Sequence, residues 1–175
     1  SIGQATALIP KYVELLCREI EETGKIARDC KLRLETIYIG GGTPTSLSAE
    51  DLKVIMQTIT NNFDLSSVLE YTVEAGRPDT ITKEKLLAIK SGGATRISIN
   101  PQTMNDTILE KIGRKHTSEQ TMKSFLLARE CGFDNINMDL IAGLPEEDFE
   151  SFKETLDKIL LLSPESVTVH SLSIK

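Results

Sequence analysis

Three consecutive glycines, Gly40, Gly41 and Gly42, follow the β-branched, apolar stretch "TIYI" and precede Thr43. Glycine weakens a regular element, so a triplet indicates that bare backbone is needed at this point. Bare backbone suits a tight turn, a phosphate cradle or a small-molecule site at the end of a strand. The familiar phosphate motifs do not fit, because Thr45 stands where G-x-G-x-x-G needs its last glycine and no Gly-Lys-Ser/Thr follows.

Polar side chains also stand in or just after four later apolar stretches. They are Glu74 and Arg77, then Asn100 and Gln102, then Asp139, and finally His170. Ligands of parallel α/β folds bind at the carboxyl ends of the strands, so this convergence predicts a shared binding site. Asp139 is the most informative, because a carboxylate flanked by Met138 and Leu140 needs a partner or a ligand if it is buried.

Simpler interpretations stay open for single residues. The glycine triplet is compatible with a plain strand-to-helix turn, and Glu74 with a solvated carboxylate. His170 is compatible with a sheet histidine as well as with a pocket-lining one. His116, in "GRKHT", is better explained as helping to begin a helix than as a catalytic group.

The elements that position these residues alternate along the sequence. A first amphipathic helix is followed by five strands, which are "LETIYI", "YTVEA", "TRISIN", "NINMDLIAG" and "SVTVHSLSI", with helical segments between them. Capping boxes at Ser48 with Asp51 and at Thr117 with Gln120 mark two helix starts. This order predicts an α/β fold with a parallel sheet and helical crossovers.

Three further features of these elements are expected from the sequence. "LETIYI" is expected to be a buried strand, and "TRISIN" is expected to stop at Pro101. Glu146, Glu147 and Asp148 are expected to form the acidic first turn of the last helix.

The composition narrows the function classes. The 175 residues carry a formal net charge of −6 and a pI near 5.1, which argues against a nucleic-acid or anionic-membrane surface. No apolar run approaches the roughly 20 residues that span a bilayer, so a cytoplasmic location is the default expectation. Cys17, Cys30 and Cys131 lack metal-ligand spacing, so the sequence predicts no complete metal site.

Four stretches, "GGGTPT", "RISINPQT", "LEKIGRKH" and "NMDLIAGLP", occur in this order and at intervals that resemble those of radical S-adenosylmethionine (SAM) enzymes. Within that superfamily the chain is most similar to the oxygen-independent coproporphyrinogen III oxidase group. The resemblance runs from about residue 36 to the end, and the first helix also fits the family's layout. Asn100-Pro101 stands where many members carry Gly-Val, which indicates a side branch.

The resemblance implies a partial (β/α)6 TIM-like barrel, open on one side, with residues 1–175 as one radical SAM core domain. The family's C-x-x-x-C-x-x-C motif lies between its first strand and first helix, so we expect the cluster cysteines upstream of Ser1. On this expectation the chain is a fragment that carries strands two to six and misses the first. Such a fragment would be unable to bind the [4Fe–4S] cluster and would be inactive by itself.

The resemblance also implies a set of SAM-binding residues. By position, Gly41, Gly42 and Thr43 would contact the methionyl amine, where side chains would prevent close approach. Glu74 would assist at the charged methionine end. Arg114 would bind the SAM carboxylate, which a guanidinium matches as a two-pronged donor.

The nucleoside half of SAM would be bound by later strands. Gln102 and Asp139 would hold the ribose hydroxyls, and Ile141 and Ser173 would pack on the adenine. The resemblance assigns no residue of this chain a catalytic role.

In the full-length family enzyme, SAM bound to a [4Fe–4S] cluster accepts one electron and yields a 5′-deoxyadenosyl radical. That radical takes hydrogen from a propionate of coproporphyrinogen III, and decarboxylation to a vinyl group follows. The implied partners are a porphyrinogen or haem and an electron donor such as a flavodoxin or ferredoxin. Two alternatives remain: a haem chaperone with the same core, and an unrelated phosphate-binding α/β barrel enzyme.

Overall fold

The computed structural model describes residues 7–172, and helices and strands alternate along them. The helices are α1 (Ile9–Asp29), α2 (Ala49–Asn62), α3 (Lys83–Ser91), α4 (Asp106–Lys111), α5 (Ser118–Glu130) and α6 (Phe149–Leu162). The strands are β1 (Thr36–Ile39), β2 (Glu70–Gly76), β3 (Arg96–Gln102), β4 (Ile136–Ala142) and β5 (Ser166–Ser171). Short 3-10 turns at Pro44–Ser46 and Pro78–Thr80 follow β1 and β2.

The five strands form one parallel sheet in the order β1-β2-β3-β4-β5. Each strand therefore pairs with its sequence neighbours, and helices connect consecutive strands. This arrangement is a curled half-barrel of the kind that the sequence predicts, an α/β fold with helical crossovers. The carboxyl ends of all five strands lie at one end of the sheet, where the candidate site residues were expected.

The two faces of the sheet differ in chemistry. The side chains that face the helices are apolar and almost fully buried; they include Val73, Ala75, Ile97, Ile99, Ile136, Met138 and Leu140. Alternate residues point the other way, because successive side chains of a strand leave opposite faces. We call that side the inner face, and it carries Tyr38, Thr72, Glu74, Arg96, Ser98, Asn100, Asn137, Asp139, Ser166, Thr168 and His170.

Both predicted capping boxes are confirmed. The Ser48 hydroxyl accepts a hydrogen bond from the Asp51 amide at 3.0 Å, and Thr117 does the same for Gln120 at 3.2 Å. Each box satisfies backbone donors that a helix start leaves without partners.

Three of the expectations about individual elements are wrong. β1 is an edge strand of alternating exposure, not a buried one, and Tyr38 is 60% exposed. β3 continues through Pro101 to Gln102, because a register shift there accommodates a residue that cannot donate to the ladder. Glu146 and Glu147 precede α6, which Asp148 caps by accepting from the Ser151 amide at 2.8 Å.

The three cysteines occupy different environments. Cys17 is half-buried on α1, Cys30 is exposed, and Cys131 is buried in the core, where burial raises the pKa of its thiol. Within residues 7–172, no group of three histidine, cysteine or carboxylate side chains is placed to hold a metal ion. None of the helices in this range is long and apolar enough to cross a bilayer.

Candidate functional site

The glycine loop between β1 and α2 exposes its backbone on one side. Gly41 has φ +100°, which favours glycine, and a Cβ at Gly41 or Gly42 would meet no atom of the described residues within 4 Å. At Gly40, by contrast, a Cβ would collide with the Tyr38 ring. The loop is therefore held tightly at its start and open at its next two residues.

Thr43 completes the loop in a strained conformation. Its φ is +55°, and a β-branched residue in this region is an outlier. The Thr43 amide donates to the Gly41 carbonyl at 2.7 Å, and its methyl group packs against Gly76. The fully buried Thr45 hydroxyl donates to the Ala75 carbonyl and so fixes the loop to β2. Strain that surrounding contacts maintain is typical of binding sites.

A groove runs beside this loop. Gly42 and Thr43 line one wall, and Ile9, Tyr12 and Leu16 of α1 line the opposite one, enclosing about 370 Å³. Most of the residues that line the groove are apolar, so the exposed backbone of Gly42 adds polar amide and carbonyl groups to a mainly apolar surface.

Glu74 connects the loop to the inner face. Its Oε2 accepts from the Gly41 amide at 3.3 Å and from the Tyr38 hydroxyl at 3.4 Å. Its Oε1 accepts from Asn100 Nδ2 at 2.7 Å. The solvated-carboxylate interpretation is therefore wrong, because Glu74 is half-buried and both of its oxygens have partners.

Asp139 is half-buried on the same face, in the middle of β4. Its Oδ1 accepts from Asn137 Nδ2 at 2.6 Å, and Asn137 also donates to the Ser98 hydroxyl at 3.0 Å. No hydrogen bond to Asp139 Oδ2 occurs among residues 7–172, so that oxygen is available for a ligand.

Tyr38 is a member of this site that the sequence reasoning missed. With Arg96, Asp139, Thr168 and His170 it lines a small cavity of about 190 Å³ on the inner face. Burial raises the pKa of the Tyr38 phenol, and the neighbouring Glu74 and Asp139 carboxylates raise it further. The phenol thus lies near both carboxylates, and the alternation of "TIYI" was the signal that places it on their face.

Gln102 lies at the carboxyl end of β3 and is only 7% exposed. Its φ is +69°, directly after the register shift at Pro101, so the chain turns sharply here. The next residue, Thr103, is fully buried and shares a hydrogen bond of 3.0 Å with Thr155 of α6. That contact anchors the segment that carries Gln102.

Arg114 lies apart from the carboxylates, in the loop before α5. It is half-buried, and its pKa is lowered by burial first and then by the nearby Arg77, while Asp79 opposes this. Neither arginine forms an ion pair within residues 7–172. Two neighbouring guanidiniums that form no ion pair in this range suit an anionic group.

His116 does not act as a helix cap, since Thr117 caps α5. The ring is 2% exposed and its Nε2 donates to the Pro101 carbonyl at 3.1 Å, beside Gln102. Nδ1 is buried without a partner in the described range. His116 therefore supports the end of β3 from behind.

The remaining candidates are on the last strands. Ile141 is half-buried, follows Asp139 on the inner face, and pairs with His170. His170 is exposed and lines the small cavity, as a pocket-lining histidine would. Ser173 lies outside the described residues.

The structure thus brings together Gly41, Glu74 and Asp139 through direct and bridged hydrogen bonds. Gly42 and Thr43 open to the groove on the α1 side. Gln102 and Arg114 belong to the neighbouring strand end and loop, and within residues 7–172 they form no hydrogen bond or ion pair with the carboxylates.

Known proteins share this sequence pattern and this fold. A family model described as the radical SAM superfamily matches residues 4–159. The chain is 46% identical over 158 residues to the oxygen-independent coproporphyrinogen-III oxidase-like protein HemZ of Bacillus subtilis, covering 90% of this chain and 32% of that protein. It is 42% identical over 168 residues to the heme chaperone HemW of the same organism, covering 95% and 44% respectively.

Among solved structures, the coproporphyrinogen III oxidase HemN of Escherichia coli, described as a radical SAM enzyme, superposes with a TM-score of 0.82. The two are 27% identical, and the match covers 94% of this chain and 37% of HemN. The chain spans less than half the length of each of these relatives. Since the family model covers most of its residues, this chain belongs to the radical SAM superfamily.

Proposed function

We propose that the protein carrying this chain is a radical SAM oxidoreductase that decarboxylates coproporphyrinogen III oxidatively without oxygen. The observation that supports it most is the placement of Glu74 and Asp139 on one face, with the open glycine loop hydrogen-bonded to the first of them. The similarity to the oxidase-like HemZ favours this substrate class.

Residues 1–175 would form part of the radical SAM core domain, and SAM would lie along the carboxyl ends of the strands. Its ammonium group would sit against Gly41, Gly42 and Thr43, where exposed backbone allows close approach and Glu74 supplies negative charge. Its carboxylate would be bound by Arg114, whose half-buried guanidinium forms no ion pair in the described range, although Asp79 lies near it. A carboxylate acceptor at the glycine loop and a guanidinium donor at Arg114 therefore match a zwitterionic amino-acid group.

The nucleoside would extend across β3 and β4. Asp139 would accept hydrogen bonds from the ribose hydroxyls through its available Oδ2, assisted by Gln102. Ile141 would pack on the adenine together with Ser173. These groups orient SAM and exclude water, which are the tasks the protein performs for its cofactor.

Members of this superfamily use SAM with a [4Fe–4S] cluster, and together they supply a hydrogen-abstracting radical. We propose that the cluster ligands lie outside these 175 residues, because Cys17, Cys30 and Cys131 are distant in sequence and differ in exposure. A flavodoxin or ferredoxin would supply the electron.

Haem binding is the second candidate function, favoured by the 42% identity to the heme chaperone HemW. The polar inner face is compatible with either role, since both require SAM or a porphyrin near the strand ends. An oxidase would decarboxylate coproporphyrinogen III, whereas a chaperone would bind haem without decarboxylating the porphyrinogen. That difference provides the test.

The test uses the full-length protein, reconstituted anaerobically with iron and sulfide and supplied with SAM and reduced flavodoxin. We expect formation of vinyl groups from coproporphyrinogen III together with 5′-deoxyadenosine. SAM cleavage without decarboxylation, combined with stoichiometric haem binding, would replace the oxidase proposal by the chaperone one. Absence of SAM binding would overturn both.

A further inference from the structure

A continuous set of side-chain hydrogen bonds joins the two carboxylates of the inner face. Asn100 Nδ2 donates to Glu74 Oε1 at 2.7 Å, and the Ser98 hydroxyl donates to Asn100 Oδ1 at 3.2 Å. Asn137 Nδ2 donates to the Ser98 hydroxyl at 3.0 Å and to Asp139 Oδ1 at 2.6 Å. We call Asn100, Ser98 and Asn137 the amide bridge.

The three residues of the amide bridge are buried, whereas the two carboxylates that they join are only half-buried. Ser98 is 2% exposed, Asn137 is 4% exposed and Asn100 is 8% exposed, whereas Glu74 and Asp139 are half-buried. Buried polar groups are costly unless they are hydrogen-bonded, so each member of the bridge depends on its neighbours. The bridge is therefore a rigid support beneath two partly exposed carboxylates.

The direction of each hydrogen bond follows from chemistry. An ionised carboxylate only accepts, so Asn100 must present Nδ2 to Glu74 and Oδ1 to Ser98. Asn137 then uses both hydrogens of Nδ2, one toward Ser98 and one toward Asp139. Its Oδ1 accepts from Ser166 at 2.7 Å. Every amide orientation is thereby fixed by the two carboxylates at the ends.

We propose that Asn100 is a positioning residue, which holds Glu74 through Oε1 so that Oε2 stays turned toward the Gly41 amide. Ser98 and Asn137 extend the same support to Asp139, whose Oδ2 stays available. The two ends that would hold the methionine and ribose parts of SAM are thus set at a fixed spacing. This inference rests on the proposed function, because it assigns the bridge a role in binding SAM.

The test uses Asn100→Asp in the full-length, reconstituted protein, with SAM affinity measured anaerobically by titration at pH 8 and at pH 6. At pH 8 two carboxylates would face each other where the amide donated, and like charges at that spacing repel. We expect SAM binding about tenfold weaker than in the unmodified protein at pH 8. At pH 6 a proton shared between the carboxyls restores the hydrogen bond, so most of the loss should be recovered.

Asn135→Asp is the matched control. Asn135 precedes β4 at the opposite end of the sheet, and its side chain makes no hydrogen bond within residues 7–172. Asn135→Asp introduces the same charge outside the amide bridge. Its SAM affinity should therefore equal that of the unmodified protein at both pH values. A loss in Asn100→Asp that does not depend on pH would indicate a general structural effect and would overturn the positioning role.

Ser98→Ala keeps the inference testable if Asn100→Asp does not fold. Removing this hydroxyl breaks the middle of the bridge, and we expect SAM affinity to fall about threefold. Unchanged affinity in folded Ser98→Ala, or equal or tighter binding by Asn100→Asp at pH 8, would overturn the inference alone. Failure of the unmodified protein to bind SAM would instead overturn the proposed function and this inference with it.

Discussion

At the scale of single residues, neighbouring glycines have different physical reasons to be glycine. Gly41 has φ +100°, so any other L-residue there is strained by about 1–2 kcal/mol. Gly42 has no such constraint, and a Cβ at this position would meet no atom of the described residues within 4 Å. Neither the backbone of Gly42 nor its packing against the described residues explains its identity, whereas the proposed ligand would.

Gly42→Ala should therefore separate binding from folding. We expect its thermal unfolding to match that of the unmodified protein within about 0.5 kcal/mol, because nothing is displaced and no strain is added. SAM affinity should fall at least about tenfold, since the added methyl group occupies the ligand's side of the loop. Titration with SAM beside calorimetry checks both, and a variant that binds SAM normally would argue against the loop as the amine site.

His116 provides a pH-dependent prediction. Burial lowers the pKa of His116, with a smaller opposing effect from its hydrogen bond to the Pro101 carbonyl. Its folded-state pKa therefore lies below the unfolded value of about 6.5. The unfolded state takes up the proton first as pH falls, so the stabilisation present above that value is lost below it.

The comparison of unmodified protein with His116→Gln measures this contribution. We expect the melting temperature of the unmodified protein to fall more between pH 7.5 and pH 5.5 than that of His116→Gln, which keeps a donor for Pro101. His170→Gln is the control, because His170 is exposed and should leave the fall intact. Identical pH dependence in His116→Gln would show that another group is responsible.

At the scale of elements, the sequence predicted the strands well because their apolar stretches are separated by capping boxes and glycines. It did not predict that β3 crosses Pro101, because a register shift depends on the neighbouring strand. It also missed the alternation of polar residues in "RISIN" and "NMD", which places Ser98 and Asn137 on the inner face. Asp139 was singled out from the sequence because an acid within an apolar run is visible without tertiary information.

Contacts between elements also fix the end of β3. Thr155 of α6 is 1% exposed. Its hydroxyl accepts a hydrogen bond from the Met104 amide at 3.1 Å and forms another with the Thr103 hydroxyl. Thr155→Val has nearly the same shape but leaves that amide unpaired. We expect a loss of about 1–3 kcal/mol in the free energy of unfolding, measured by denaturant titration.

Thr121→Val is the matched control for this prediction. Thr121 is also fully buried, but its hydroxyl donates only to the carbonyl of Thr117, the residue that caps α5. Its replacement leaves no backbone amide unpaired, so we expect a change below about 0.5 kcal/mol. Equal losses in the two variants would mean that Thr155 contributes through packing alone.

At the scale of the whole molecule, the core and the proposed site lie on opposite faces of the sheet. Its helix-facing side is an apolar core, and its inner face is a polar surface ending in Glu74, Asp139 and the glycine loop. The motifs in the sequence predicted the family and the half-barrel, which the family match and the superposition on HemN confirm. The position of Tyr38 beside the carboxylates and the hydrogen bonds of the amide bridge could not be predicted from the sequence, because they depend on which strands are neighbours.

The most direct test of this account is an anaerobic crystal structure of the full-length protein with SAM bound. We expect the SAM ammonium group to lie against Gly42 and Glu74, and the ribose hydroxyls to lie within hydrogen-bond distance of Asp139. A structure in which SAM contacts neither Glu74 nor Asp139 would contradict it.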